Sequence, residues 1–349
     1  MESLLFQVLS HADLDWFQYS GKVQERLPNE DLVQSKAHQV YLLLEGILTI
    51  ALPHQDKSTL QELTQLHAGS FIGSIPRLET VSSAATMQAQ APCQILAIDA
   101  AQLADKLTQD PGFAARFYHL QAIGLMQQLQ TLMQQFDLHP AILYQINVKE
   151  ASNLFAELQD THLDWLTAVG QRQQLPGECI VQPAYRPLEA LQIVLDGALS
   201  ISTPSAVSST LLPAFLPKTD STQEFVRIGR GDVFGEMRLI QFHSDFIPMQ
   251  TMQVKTVRDA EILSIPHWRI LSKLLHDLEF AVHFYRVLAV LLAGKYQTML
   301  TKLGFITQLD NQESSNDRVL ANVARAESNF EWVVQRVQTK VVVGRSIQW

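Results

Sequence analysis

The chain repeats itself. Leu14-Asp15-Trp16 returns as Leu163-Asp164-Trp165, and Leu27-Pro28, Glu30 and Leu32-Val33-Gln34 return at nearly the same spacing as Leu175-Pro176, Glu178 and Ile180-Val181-Gln182. Tyr41-Leu42-Leu43-Leu44-Glu45-Gly46 then matches Leu191-Gln192-Ile193-Val194-Leu195-Asp196-Gly197, and Phe113-Ala114 with Phe117-Tyr118 matches Phe280-Ala281 with Phe284-Tyr285. Self-similarity of this length means two copies of one domain fused in tandem. At 349 residues each copy has the size of an ordinary domain with a core of its own. The repeat predicts a first domain over 1–137, a connection over 138–151, a second domain over 152–303, and a polar break with a C-terminal helix and tail over 304–349.

Within each copy a short helix around Leu-Asp-Trp precedes brief apolar runs broken by Gly, Pro, Asn and Gln, the pattern of a compact β-barrel or sandwich. A helix follows the strands. Leu120, Leu125, Leu129, Leu132 and Phe136 in the first copy, and Phe284, Val287, Leu288, Leu291, Tyr296, Met299, Leu300 and Leu303 in the second, recur at helical spacing. These stripes fit either an intramolecular core or a dimer seam.

The copies differ most after their early strands, where Gly46 and Gly69 are 23 residues apart but Gly197 and Gly231 are 34 apart. The second copy therefore carries an insertion, over 203–226, that fits a surface loop or a loop for docking a partner. Beyond Leu303, the polar run Asp310–Asn316 precedes Val319, Val323, Phe330, Val333, Val334 and Val337, which share one side of an amphipathic helix. Val341-Val342-Val343 after it fits a short strand or extended tail. The helix either packs back on the second domain or docks on another protein.

Composition narrows the function classes. The balance of 26 Lys+Arg against 35 Asp+Glu, a formal net charge of -9, gives no bulk attraction to nucleic acid or an anionic membrane. No apolar run reaches a bilayer span, and Met1-Glu2-Ser3-Leu4-Leu5 lacks the basic start of a secretory signal, so a cytoplasmic protein is expected. Cys93 and Cys179 fall in different copies and in strand-like surroundings, which fits reduced structural thiols.

Gly231 to Met237 reads Gly-Asp-Val-Phe-Gly-Glu-Met, a turn whose backbone N–H groups suit an anion, and Gly69 to Gly73 repeats its outline. With Asp259-Ala260-Glu261-Ile262-Leu263-Ser264-Ile265-Pro266 downstream, and Ala84-Ala85-Thr86-Met87 and Ile95-Leu96-Ala97-Ile98-Asp99 in the first copy, the chain resembles the cyclic-nucleotide-binding domain family of catabolite-activator and protein-kinase-A regulatory type. The resemblance implies a mainly β fold with α: two tandem eight-stranded jelly-roll domains, each followed by a long helix, and then the C-terminal amphipathic helix. It also implies a phosphate-binding cassette in which a glycine admits the cyclic phosphate, a glutamate accepts the ribose hydroxyl and an arginine pairs with the phosphate.

On that pattern the candidate ligand site is Gly235, Glu236, Met237, Gln250 and Thr251, with cyclic AMP or cyclic GMP as the ligand. The cassette departs from the family. Gln250 stands where the arginine belongs, and in the first copy Ser74 and Ser83 replace both the glutamate and the arginine, so that pocket reads as degenerate. Arg238 and Arg77 lie inside the cassettes as alternative cations.

The 11 histidines do not gather into a cupin-type metal set, and no Gly-x-Ser-x-Gly elbow, P-loop or Cys-x-x-Cys is present. No catalytic residue and no metal ligand is expected. The space after Leu303 is too short for a winged DNA-binding domain, and Phe330-Glu331-Trp332 faintly resembles the ends of cyanobacterial stand-alone members of the family. The expected function is a non-enzymatic regulatory or scaffold module contacting another protein, or a second copy of itself, through the long helices, the insertion 203–226 and the C-terminal helix, without DNA or membrane. The alternative is a cyclic nucleotide sensor using the second domain only.

Overall fold

The structure, a computed structural model, describes residues 4–31, 39–53, 60–73, 86–138, 140–144, 150–204, 222–240, 252–305 and 316–344. The chain divides into two compact units, residues 1–138 with 273–319, and 139–272 with 320–349.

The first unit opens with helices α1 (Leu4–Val8) and α2 (His11–Ser20) and continues through strands β1 (Lys22–Arg26), β2 (Gln39–Glu45), β3 (Ile47–Pro53), β4 (Leu60–His67), β5 (Phe71–Ile72), β6 (Thr86–Ala89) and β7 (Cys93–Asp99) to helices α3 (Ala100–Gln109) and α4 (Pro111–Gln135). Its strands form two antiparallel sheets, ordered β1-β7-β2-β5 and β4-β3-β6. In the second unit, helices α5 (Glu150–Glu157) and α6 (Asp160–Val169) precede β8 (Gln171–Leu175), β9 (Ile180–Gln182), β10 (Ala190–Asp196), β11 (Ala198–Pro204), β12 (Thr222–Gly229), β13 (Val233–Phe234), β14 (Gln253–Thr256) and β15 (Ala260–Pro266). Here the orders are β8-β15-β10-β13 and β12-β11-β14-β9, so strand follows strand in the same topology.

The repetition reaches single residues. A bulge interrupts β2 between Leu43 and Glu45 against β7, and its twin interrupts β10 between Val194 and Asp196 against β15. A second pair lies on β4, where Leu63 is extra against Ile50 and Ala51 of β3, and on β12, where Phe225 is extra against Ile201 and Ser202 of β11. An inserted residue bends a strand and adds twist, so each pair curls its sheet at the same place. Asp31 bridges Gln88 where Ile180 pairs with Lys255, the point in the first copy that corresponds to the start of β9.

The core of each copy includes Leu48, Ile50, Ile95 and Ile98 in the first and Leu199, Ile201, Ile262 and Ile265 in the second, none more than 1 % exposed. Each such side chain stabilises the fold by about 1.5–3 kcal/mol relative to exposure.

After β15 the chain enters α7 (His267–His276) and α8 (Leu278–Lys302), and α9 (Asn316–Gly344) closes the described residues. The two long helices start alike: Asp110 accepts from Phe113 N at 2.9 Å and Asp277 from Phe280 N at 2.9 Å, each side chain capping an otherwise unsatisfied amide. Helix α8 belongs to the first unit and packs along α4. His119 stacks on Tyr285 at 4.2 Å and Phe136 meets Phe305 edge-on at 5.8 Å. Leu120, Leu125, Leu129 and Leu132 on α4 and Val287, Leu288, Leu291 and Met299 on α8 are buried, so both apolar stripes are covered within the chain.

Helix α9 packs back on the second unit. Ala326, Phe330, Val333, Val334 and Val337 are buried, Phe330 lies 5.4 Å from the ring of Phe155, and Asn329 Nδ2 donates to Phe155 O at 2.7 Å. The helix runs to Gly344, which corrects the strand or extended tail expected at Val341–Val343: a helix already anchored through its buried residues up to Val337 continues through the valines against their strand preference. Of the insertion 203–226, residues 203–204 end β11 and 222–226 open β12, while 205–221 lie outside the described residues. The polar run at 310–315 lies outside them too.

Candidate functional site

The Gly231–Met237 stretch is a tight corner on the second sheet pair. Gly231 N donates to Val194 O and Val194 N to Asp232 O, both at 2.9 Å, while Asp232 Oδ2 accepts from Gly229 N at 2.7 Å. After the two residues of β13, Gly235 takes a left-handed conformation at φ 92° and starts a 3-10 turn over Glu236–Leu239. A Cβ there would sit 2.5 Å from Ala190 O. Gly73 repeats the geometry at φ 117°, with Gln39 O at 2.7 Å from a built Cβ. Only glycine combines that conformation with so close an approach of two backbones.

Of the sequence-predicted site, Gly235, Glu236 and Met237 come together on this turn, and Gln250 and Thr251 lie outside the described residues. Ser74, Arg77 and Ser83 of the first copy also lie outside them. Glu236 is 3 % exposed and Met237 3 % exposed, so both side chains point into the protein. The Tyr144 hydroxyl lies 3.8 Å from Met237 Sδ. Tyr144 ends a 3-10 turn, Pro140–Tyr144, within the predicted connection, which places that segment against the cassette.

His267 holds the far side of the turn. Its Nε2 lies 2.9 Å from Gly235 O, the geometry of a neutral ring donating Nε2–H to the carbonyl. Nδ1 is buried and has no partner among the described residues. Burial lowers the imidazole pKa to about 4; the bond to Gly235 works upward, and the charge of Arg238 adds to the lowering. Arg238 is half-buried, and its Nη1 is buried with no hydrogen-bond partner among the described residues.

Arg230 anchors the near side. Nη1 donates to Leu195 O at 2.7 Å, Nη2 meets the carboxylate of Glu331 on α9, and the guanidinium lies 5.1 Å from the Phe330 ring. The stretch is thus held at three points, by Arg230 to α9, by Gly235 to His267 and by Met237 to Tyr144.

Sequence reasoning singled out the turn and missed all three anchors. The repeat places Ala100 opposite His267 at the start of the helix after the last strand, and a bulky polar residue replacing alanine is the signal that could have marked it. Arg230 and Tyr144 carry no such signal, since their partners are far away in sequence. Among the described residues no group of three or more His, Cys, Asp or Glu is placed to hold a metal, and no helix is long and apolar enough to cross a membrane.

Residues 28–110 match the sequence profile of the cyclic nucleotide-binding domain family. No curated protein matches the chain in sequence. Among solved structures, cAMP-bound PfPKA-R is 14 % identical, with 89 % of this chain and 91 % of that chain covered at a TM-score of 0.31. The regulatory domain of Toxoplasma gondii PKA with cAMP is 13 % identical over 79 % and 88 %, at 0.26. A CooA mutant from Carboxydothermus hydrogenoformans is 17 % identical over 39 % and 84 %, at 0.31. Scores this low give the neighbours' ligands no bearing on this chain. The first copy carries the profile match over residues 28–110, and the second repeats that copy strand for strand, so the chain folds as two tandem jelly-roll-like β domains of one topology.

Proposed function

We propose that the chain is a non-catalytic regulatory or scaffold protein of the cytoplasm, working through contact with another protein, with its second cassette used as structure instead of as a nucleotide site. The observation that carries this is the burial of Glu236 at 3 % exposure. A carboxylate that receives a ribose hydroxyl must face an open pocket, whereas this one is turned inward on a corner pinned from three sides. Gln250 in the arginine position supports the same reading, because a missing charge-assisted bond to phosphate weakens binding by about 1.5–3 kcal/mol.

A sensor confined to the second domain is the other reading, and Arg238 favours it: its buried Nη1 has no hydrogen-bond partner among the described residues, and an anion admitted to the Gly235 turn would supply one. Calorimetry and thermal melting of the full chain with cyclic AMP and cyclic GMP separate the two. A scaffold gives no heat and no shift at millimolar nucleotide. A sensor saturated to about 100 times its Kd gains about 2.7 kcal/mol of stability, and Glu236→Ala abolishes that gain.

A further inference from the structure

Helix α7 carries an apolar rail that the protein does not cover. Trp268, Leu271 and Leu275 are 64 %, 38 % and 76 % exposed, while Ile270 and Leu274 on the opposite side are buried. The spacing of three and four residues puts the three on one face of a single continuous helix. The first copy supplies an internal control. Its α3 occupies the same place after the last strand, and the aligned positions are Ala101, Ala104 and Thr108. The jelly-roll therefore needs no large apolar residue there, and burial does not explain the rail.

Beside it runs an edge with one fixed cation, Arg269, and a histidine. Arg269 and His276 are exposed, the Arg269 guanidinium lies 4.7 Å from the Trp268 ring, and α7 contains no Asp or Glu. In the first copy the aligned residues are Gln102 and Gln109, with Asp105 in place of Ser272. The second copy has gained bulk and positive charge together, on a chain whose net charge is -9.

We infer that the exposed face of α7 docks an acidic amphipathic helix of another protein, whose apolar stripe lies on Trp268, Leu271 and Leu275 and whose carboxylates meet Arg269 and His276. Ten residues of helix span about 15 Å, the length of a few turns of a partner helix laid alongside. A second copy fits less well, because two α7 faces brought together would oppose cation to cation. An anionic membrane fits less well too, since so few cations on a short helix face the repulsion of an acidic chain. The inference rests on the scaffold reading and names the surface that reading requires.

The test uses the full chain and a fluorescein-labelled synthetic helix with a leucine stripe flanked by glutamates, followed by anisotropy and Trp fluorescence. The glutamate peptide binds, its counterpart with lysine flanks binds at least about tenfold more weakly, and Leu271→Gln with Leu275→Gln lowers affinity at least about tenfold while the melting curve is unchanged. Arg269→Glu leaves the rail intact and reverses the preference between the two peptides. Equal binding of both peptides overturns the proposal. So does binding to phosphatidylserine vesicles in place of the peptide, or a doubling of mass in sedimentation that the leucine variants abolish. Nucleotide calorimetry on the same protein reports the scaffold reading separately, so a positive nucleotide result and a negative peptide result are distinct failures.

Discussion

His267 Nε2 lies 2.9 Å from the carbonyl oxygen of Gly235, so the residue that opens α7 is bonded to the glycine that shapes the cassette turn. Burial holds the imidazole at about 4 against an ordinary 6.5. The folded protein thus rejects a proton that the unfolded chain takes up. This contribution to stability is complete above pH 6.5 and is lost as pH falls from there to about 4. The shift sets a ceiling of about 3 kcal/mol. Urea titrations at several pH values across that window will show the wild type losing stability on acidification more steeply than His267→Ala. Parallel curves would remove His267 as the source.

Arg230 ties the near end of the same stretch to α9. Its replacement by alanine removes the bond to Leu195 O, the ion pair with Glu331 and the stacking on Phe330. The ion pair is roughly half exposed and adds little, so the expected cost of about 1–2 kcal/mol comes mainly from the carbonyl bond and the ring contact. Hydrogen exchange across 324–338 will rise in Arg230→Ala and rise less in Arg230→Lys, which keeps charge but loses the planar fork. Unchanged exchange would show that α9 holds through Phe155 and Phe330 alone.

Much of this architecture is written in local pattern. The repeated Leu-Asp-Trp, the glycines at 73 and 235 and the helical spacing of Leu120 to Leu132 each report a constraint within a few residues, and each has its counterpart in the structure. What covers a helix stripe is not local. The spacing of Val287, Leu288 and Leu291 shows an apolar face, but their packing on α4 depends on a contact across more than 150 residues. The anchors of the cassette belong to the same class: His267 reads in sequence as one of 11 scattered histidines, and only the fold brings its ring to Gly235. Valines 341–343 misled for the opposite reason, since a local strand preference is outweighed there by a helix already docked through Phe330, Val333 and Val337.

In the first unit, Arg116 grips Asp13 through both carboxylate oxygens, Nε to Oδ2 at 2.6 Å and Nη2 to Oδ1 at 2.9 Å. Burial works to raise the Asp13 pKa, but the bonds from Arg116 and Ser10 prevail and hold it below the usual 3.8. Arg116→Ala leaves a carboxylate that is 3 % exposed without its fork. The expected loss is about 2–3 kcal/mol, at the low end for a broken buried pair because Arg116 is partly solvated. A depressed carboxylate stabilises above its unfolded pKa and loses that effect as pH falls through its folded value. The wild-type advantage over Arg116→Ala is therefore full near neutral pH and shrinks in acid below 3.8. Chemical denaturation at neutral pH and in acid tests both the size and the sign.

Gly235→Ala places a methyl 2.5 Å from Ala190 O and 2.7 Å from Leu188 Cδ2 on a residue held at φ 92°. The left-handed conformation alone costs a residue with a Cβ about 1–2 kcal/mol, and the carbonyl cannot yield without moving β10, so a total of about 3 kcal/mol or more is expected. The turn has to shift, and its carbonyl moves away from His267 Nε2. Gly235→Ala and His267→Ala then disrupt one shared bond, and their combined loss of stability falls short of the sum of the single losses by at least about 0.5 kcal/mol. The pH slope assigned to His267 flattens in Gly235→Ala as well, because a displaced turn admits water to the ring and lets it protonate nearer its ordinary pKa. Additive losses with an unchanged slope would mean that the two residues sit side by side without acting on each other.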